Sequence, residues 1–407
     1  MKILQVNCVY NKGSTGKIMA DIHSELKRSS YESIICYGRG EKTADENVYK
    51  TCGELYSKVN NLASRFSGLM YGGCFFSTNK LIKIIKDEKP DVVHLHCING
   101  YFVNIYRLVS WLKKNNIKTL LTLHAEFMYT ANCGYALDCE KWLTGCGKCP
   151  RLKQETKSLL IDATHKSWVR MKKGFAGFED LTVVSVSPWL MERAKQSPIL
   201  ADFKHVTILN GLDTSVFHPY DTAELKKKLE LTNKKVIFHA TPFFSADKDH
   251  FKGGYYVLKL AEMLKDQNVK IVVAGRFDEN ITVPENVILL GNIADQTMLA
   301  KYYSMADITV IASKKETFSM IVAESLCCGT PVVGFKAGGP ETIAIPEYCE
   351  FSEYGDIETM GNAVSKILKN TLDKDVISRT AAEKYSKSIM AKSYVDAYKK
   401  VGVKNEK

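Results

Sequence analysis

Short apolar runs alternate with stretches of helical spacing along the whole chain. MKILQVNC, at the start, is a short apolar run with polar flanks, the pattern of a strand buried in a parallel sheet. NKGSTGK follows as a loop, and IMADIHSELKR then sets Ile18, Ile22 and Leu26 on one helical face. ESIICYG predicts the next strand. NKLIKIIKDEKP predicts an amphipathic helix closed by Pro90, and DVVHLHC a strand; NIYRLVSWLKKNN predicts a helix before the strands IKTLLTLHA and LTVVSVS. This alternation predicts a parallel sheet with helices on both faces.

The pattern restarts after residue 210. KKVIFHATP, VKIVVAGRF, NVILLGN, DITVIAS and TPVVGFK read as strands. Helices are expected at GGYYVLKLAEMLKD, QTMLAKYYSMA and around IVAESLCCG. ILNGLDTSVFHP (208–219), with a Gly turn and a Pro, reads as a linker. The expected division is a first domain over 1–207, a second over 220–385, and a C-terminal helix in 386–407 that could pack back on the first. The predicted class is α/β: two facing Rossmann-like, doubly wound domains with an interdomain cleft, the edge at which open α/β sheets bind ligands.

The length of 407 residues suits two such domains, and 45% hydrophobic with 25% charged content is that of a globular chain. A net charge of +11 favours an anionic partner (a nucleotide, a nucleic acid or an anionic membrane) without choosing among them. No apolar stretch approaches the roughly 20 residues needed to span a bilayer. MKILQVNCVY passes into a Gly-rich loop without a cleavage site, so the expected location is cytoplasmic, with a peripheral contact at the inner face of the plasma membrane left open. Basic residues such as Arg65, Lys113, Lys114, Lys172 and Lys173 could serve that contact, although an ordinary solvated surface explains each of them too. Thiols stay reduced in such a compartment, and Cys8, Cys36, Cys327 and Cys328 then read as small buried hydrophobes.

The strongest signal is KKETFSMIVAESLCCGTPVVGFKAGGPETI, residues 314–343. Glu316 and Glu324 stand eight apart, about two helical turns, and can border one side of a helix. The backbone N–H groups of Phe318 and Ser319 fall at that helix's N-terminus, a ready site for a phosphate. On spacing alone, two solvated glutamates on a surface helix are the commoner explanation. The fuller segment resembles the donor-site signature of glycosyltransferase family 4, the retaining GT-B enzymes, in its E-x7-E spacing and in ESLCCGTPVVGFKAGGPE. DITVIASKKETF and ILNGLDTSVFHP are similar to that family's approach to the motif and to its linker. The resemblance covers most of the chain and is closest in the C-terminal half. It implies that Glu316 binds donor-sugar hydroxyls and Glu324 the ribose, with the backbone of Phe318, Ser319 and Met320 near the donor phosphates and sugar. It also implies that Lys252, in DHFKGG, faces the phosphates. A lysine there suits the chemistry, because breaking the sugar–phosphate bond leaves a diphosphate whose charge must be neutralised. The family has an arginine several residues earlier, whereas HATPFFSADKDHFKGG has none; either Lys248 substitutes or the insertion reshapes the pocket.

NKGSTGKIM fails as a P-loop, with Asn11 where glycine is required and Ile18 where Ser or Thr is required. A strand, a turn through Gly13 and Gly16 and a helix start remain. They are similar to the family's first loop, which lies against the donor diphosphate and acceptor, and Lys17 stands where members carry a basic residue; a plain tight turn explains the glycines equally well. His124 matches the family histidine that reaches the transferred sugar, but Ala125 and Glu126 follow where the family often has Asp. His94 and His96 share a strand face; His96, nearer the carboxyl end, is expected toward the cleft and His94 in the core. DKD at 247–249 is a short acidic string, common by chance, and no metal is expected there.

CGYALDCEKWLTGCGKCP gathers Cys133, Cys139, Cys146 and Cys149 directly after the His124 strand. Three readings stay open: structural zinc held by four thiolates, placed first; reduced or redox-active thiols; and disulfides. Four thiolates would close the coordination sphere, so such a zinc would staple a loop and leave the reaction alone. Similar clusters occur in a subgroup of the family that resembles colanic-acid and other surface-polysaccharide transferases.

The resemblance implies retaining transfer of a sugar from a UDP- or GDP-sugar to a glycan, lipid-linked, in bacterial surface-polysaccharide synthesis such as capsule or O-antigen, with no catalytic cofactor. The alternative is a GT-B protein that binds nucleotide sugar or carbohydrate without turnover, motivated by the missing arginine and Ala125. A nucleic-acid partner is not expected, since no basic-aromatic face is present.

Overall fold

A computed structural model describes residues 1–370 and 372–402 and divides into two compact units. The first comprises Met1–Leu209 with the chain from Met390, and the second Asn210–Ile389.

The first unit is built on a parallel sheet of β1 (Lys2–Asn7), β2 (Glu32–Tyr37), β3 (Val48–Lys50), β4 (Val92–Leu95), β5 (Thr119–Leu123), β6 (Leu181–Ser185) and β7 (Lys204–Thr207). Their order is β3-β2-β1-β4-β5-β6-β7. The strand runs are apolar because both faces are covered: Ile3, Val92, Leu120 and Val184 pack with Ile18, Ile22 and Leu26 of helix Gly13–Arg28. The same core takes Met390, Tyr394 and Tyr398 from helix Lys387–Gly402. Residues 403–407, the rest of the expected C-terminal segment, lie outside the described residues.

The second unit repeats the plan with β8 (Lys235–Phe244), β9 (Val269–Phe277), β10 (Val287–Gly291), β11 (Ile308–Ile311), β12 (Val332–Phe335) and β13 (Cys349–Ser352). The order is β10-β9-β8-β11-β12-β13, again all parallel. The strand order reverses between β1 and β4 in the first sheet and between β8 and β11 in the second. In open α/β sheets the crevice at such a reversal, outside the carboxyl ends, is where ligands bind.

Three strands that the sequence pattern does not announce complete the sheets: β3, β7 and β13, of three or four residues each. Helices Glu54–Ser67, Thr164–Phe175 and Pro188–Gln196 are likewise additional to those expected. No helix among the described residues is long and apolar enough to cross a membrane.

Candidate functional site

In the second unit, the residues singled out from sequence gather at the β8–β11 reversal. Lys252 sits in the loop that leads into helix Gly254–Met263. Gly253 has φ +73°, and a Cβ there would stand 1.9 Å from the Ala312 carbonyl oxygen. Only glycine lets this loop close on the end of β11. The Lys314 N–H donates to the Phe251 carbonyl at 2.7 Å and fastens the same closure. Lys252 Nζ then reaches Glu316 Oε1 at 2.6 Å, with 14% and 12% of the two side chains exposed.

Glu316 is held by its backbone. Its N–H donates to the Ala337 carbonyl at 2.9 Å, and its carbonyl accepts from the Gly339 N–H at 2.8 Å. The Glu341 carboxylate accepts from the Ala337 and Gly338 N–H groups at 2.9 and 2.8 Å, ordering the GGPE turn that supports Glu316. A Cβ at Gly339 would lie 2.6 Å from the Phe318 nitrogen, so the glycine permits the turn to approach the helix start.

Helix Met320–Cys327 begins at Ser319, a non-glycine residue with φ +75° whose hydroxyl is buried without a hydrogen-bond partner among the described residues. Strain and an unpaired polar atom at a helix N-terminus mark a place organised for something other than packing. Phe318 is buried, and Met320 is half-buried. About one helical turn on, Glu324 Oε2 accepts from the Tyr303 hydroxyl at 3.0 Å. Burial, together with the carboxylate, pushes the Tyr303 pKa well up, so this phenol stays protonated and orients Glu324.

Glu324 and Tyr303 border a cavity of about 240 Å³ that also touches Thr241, Gly275, Asn292 and Ile321. It opens where β8 and β9 shift register between Ala240 and Phe243. Gly275 makes the bulge possible: a Cβ there would meet the Thr241 carbonyl at 1.9 Å. Tyr303, Glu341 and Gly275 are therefore site-building residues that the sequence reading misses. Lys248 is exposed, with its ammonium 6.0 Å from the Tyr255 ring. An arginine does stand close by in the sheet: Arg276, at the end of β9, is in register with Phe243 of β8.

In the first unit, Asn7 organises the β1–β4 reversal. Its wholly buried side chain accepts from the N–H groups of Cys8 and Cys97 at 2.9 and 3.2 Å and donates to the Val9 carbonyl at 3.1 Å. The first loop turns tightly after it, with the Asn11 N–H donating to the Gly16 carbonyl at 3.1 Å. Gly16 is buried, with a would-be Cβ 3.2 Å from Val9, while Gly13 starts the helix at φ +63° in open space and Lys17 is exposed. Gly16 is thus required for packing and Gly13 for its backbone angle.

His96, expected toward the cleft, is not exposed. Like His94, it is wholly buried, and the two rings lie 3.8 Å apart. The strand ends at Leu95, and the His96 N–H continues its pairing with β1 by donating to the Val6 carbonyl at 2.9 Å. His94 bonds Tyr398 and Thr122 at 2.6 and 2.7 Å. His96 instead contacts His124, Nδ1 to Nε2, at 3.2 Å and Gln5 at 3.1 Å. The Gln5 amide nitrogen points to the Met19 carbonyl, so its oxygen faces His96 Nε2, which must carry the proton. His96 Nδ1 is then an acceptor, His124 donates through Nε2, and Nδ1 is the acceptor of the His124 ring. Burial lowers the His124 pKa to about 4, so the ring is neutral at pH 7.

Glu126 is wholly buried and takes a structural part. It accepts from Arg193 Nε at 2.8 Å, from the Tyr129 hydroxyl and from the Ala136 N–H at 2.5 Å. Its ion pair ties the start of the cysteine-rich loop to helix Pro188–Gln196. All twelve cysteines are free thiols. Cys133, Cys139, Cys146 and Cys149 are half-buried and close enough that the charges of the other three help raise the Cys133 pKa, after burial and Glu155. Gly145 to Lys148 all have positive φ, a tight knuckle around the C-x2-C pair. Among the described residues, no three His, Cys, Asp or Glu side chains are set as metal ligands, at the cysteines or at Asp247 and Asp249.

Residues 221–388 match the family model described as "Glycosyl transferases group 1". The chain is 23% identical to an Escherichia coli (strain K12) protein provisionally named colanic acid biosynthesis glycosyl transferase WcaC, over 98% of this chain and 99% of that one. It is also 23% identical to N-acetyl-alpha-D-glucosaminyl L-malate synthase of Bacillus anthracis, over 72% and 69% of the two chains. Among solved structures it is similar to Anabaena Alr3699/HepE in complex with UDP, at a TM-score of 0.67 and 14% identity, covering 98% of this chain and 100% of that one. The second unit thus carries a match to the glycosyl transferases group 1 family model, in a chain of GT-B fold.

Proposed function

We propose that the protein is a retaining glycosyltransferase that moves a sugar from a nucleotide diphosphate sugar to a hydroxyl of a lipid-linked glycan in surface-polysaccharide synthesis. The observation that carries this reading is the Lys252–Glu316 pair at 2.6 Å beside the strained start of helix Met320–Cys327. The pair holds a cation and an anion in reserve. A donor diphosphate would draw Lys252, and sugar hydroxyls would engage Glu316. Lys252 and the backbone amides at 318–320 would then stabilise the charge that grows on the leaving diphosphate, which takes the proton of the acceptor hydroxyl. Glu324, oriented by Tyr303, would bind the nucleoside ribose beside the 240 Å³ cavity. Neutral His124 would hydrogen-bond a hydroxyl of the transferred sugar, as the family resemblance implies. The UDP complex of the structural relative and the colanic acid name of the sequence relative support the donor and acceptor classes. No step needs a metal. For the thiols at 133–149 the reading is a structural zinc in the metal-loaded protein, resting on the clustering of Cys133, Cys139, Cys146 and Cys149 in the sequence; zinc well below one equivalent per purified chain would remove it.

Thermal-shift measurement against UDP, GDP, ADP and their sugars, followed by hydrolysis assays, tests the donor reading. Ligand at 100 times its dissociation constant adds about 2.7 kcal/mol of stability, a readable shift. One selective nucleotide with slow hydrolysis of its sugar is expected, and product anomers read by NMR should keep the donor configuration. A shift with no turnover in the presence of acceptor glycans would favour a binding protein.

A further inference from the structure

Helix Glu54–Ser67 is inside out. Leu55, Val59, Leu62 and Phe66 recur at intervals of three and four, one stripe of a helix. In a globular unit that stripe faces the core, but here all four are exposed, Leu55 at 75%. The residues turned inward are polar: Ser57 donates to the Gly100 carbonyl, and Asn60 Oδ1 accepts from the Cys74 N–H at 2.7 Å. The helix is therefore docked through hydrogen bonds and presents its apolar side to the outside.

Two further segments extend that side. Phe75 and Phe76 open the next helix, Phe76 at 78% exposure, with its ring 5.9 Å from Tyr56 and its N–H toward the Tyr56 hydroxyl. Leu159, Leu160 and Ile161 lie at the other end, Leu160 at 79% exposure. The Leu159 N–H donates to the Arg65 carbonyl at 2.8 Å, and the Ile161 carbonyl lies against Gly68. Nine large apolar side chains from three segments thus form one surface, more than scattered surface residues account for.

Its border is basic. Lys58 and Arg65 share the helix, Lys157 precedes the leucines, and Lys166 and Arg170 are exposed on helix Thr164–Phe175, where Arg170 reaches toward Gly72. From 148 to 173 the chain carries eight Lys and Arg against Glu155 and Asp162. A second copy of this chain, at net charge +11, would bring like charge against like. A bilayer with anionic headgroups supplies both what the apolar stripe and what its rim require.

The geometry points to this surface as the site at which the protein docks on an anionic lipid bilayer, the apolar stripe entering the headgroup boundary and the lysines contacting phosphate. The inference extends the lipid-linked acceptor reading without needing it, because docking requires neither donor nor acceptor. The test is co-sedimentation of the full chain with phosphatidylglycerol/phosphatidylethanolamine vesicles and with phosphatidylcholine vesicles. Binding to the first should exceed binding to the second at least tenfold and fall as salt is raised. Leu62→Ser with Phe76→Ser, both at exposed positions, should weaken it tenfold or more with an unchanged melting temperature, and Lys166→Glu with Arg170→Glu should remove the preference for anionic lipid. Equal binding to both vesicle types, no binding to either, or a lipid-free dimer that Leu62→Ser with Phe76→Ser dissociates would each overturn the assignment. Donor hydrolysis measured on the same variants separates its failure from failure of the transferase reading: hydrolysis should persist in all of them.

Discussion

Acidification from pH 7 to pH 5 should destabilise the first unit far more than the second. The first unit buries His23, His94 and His96 and half-buries His124. Burial lowers His23 and His124 to about 4, and holds His94 and His96 well below the ordinary value of 6.5. The second unit has His239, also lowered by burial to about 4. Unfolded histidines take up protons from about pH 6.5 downward, whereas the folded ones do so only at lower pH, His23, His124 and His239 at about 4. Between those values the unfolded chain binds more protons, so stability falls as the pH falls. For one histidine shifted from 6.5 to 4, the step from pH 7 to pH 5 removes about 1.8 kcal/mol. His23 and His124 together amount to roughly 4 kcal/mol in the first unit, and His94 and His96 add to this in the same direction, against about 2 in the second. The larger figure is a large part of the whole stability of an ordinary domain. Hydrogen exchange, corrected for the pH dependence of the intrinsic rates, reads the two units separately through amides of β4 and β5 and of β8 and β11. Protection should fall steeply in β4 and β5 between pH 6.5 and 5 and modestly in β8 and β11. Equal losses in both units, or an unchanged first unit at pH 5, would refute the reasoning.

Other substitutions separate the chemistry from the scaffold. Lys252→Ala should lower donor turnover by about a hundredfold to a thousandfold while the melting temperature stays within a few degrees, since it removes charge stabilisation from a half-buried pair. Retained turnover in a steady-state assay would take Lys252 out of the reaction. Gly253→Ala has no room against Ala312 and a strained φ, so it should cost about 3 kcal/mol or more in urea unfolding and lose donor binding as well. Glu126→Gln breaks a buried ion pair, at a cost of about 3 kcal/mol. It should also speed thiol-reagent labelling of Cys133–Cys149, because Glu126 anchors the Ala136 backbone; unchanged labelling would show that the loop is held elsewhere.

Much of the fold is readable as pattern because its strands are buried on both faces. β1, β4 and β5, like β9 and β11, are short apolar runs with polar ends, and their helices carry one clear stripe. β3, β7 and β13 are missed for a physical reason: Val48–Lys50 offers three residues of which only Val48 is buried, and Lys204–Thr207 has no wholly buried residue. Edge strands are held by backbone pairing to a neighbour, which leaves little trace in side-chain hydrophobicity. Helix Glu54–Ser67 has the periodicity, but its stripe faces outward, so its spacing alone would misplace those residues in a core.

The candidate site divides along a different line. Lys252, Glu316 and Glu324 are found by resemblance, since periodicity treats each as a solvated charge; the structure supplies the missing link by placing Lys252 and Glu316 in contact across 64 positions of sequence. The residues that prepare them leave weaker marks. Tyr303 is an ordinary helical tyrosine until its hydroxyl is seen on Glu324, and Gln5 and Asn7 are the polar exceptions in an apolar strand. Those exceptions are the informative positions. A buried amide is tolerated in a sheet only where it satisfies specific partners, and these two satisfy the His96–His124 contact and the two loops at the β1–β4 reversal. Polar breaks inside the buried strand, more than the histidines themselves, therefore mark where the first sheet departs from plain packing.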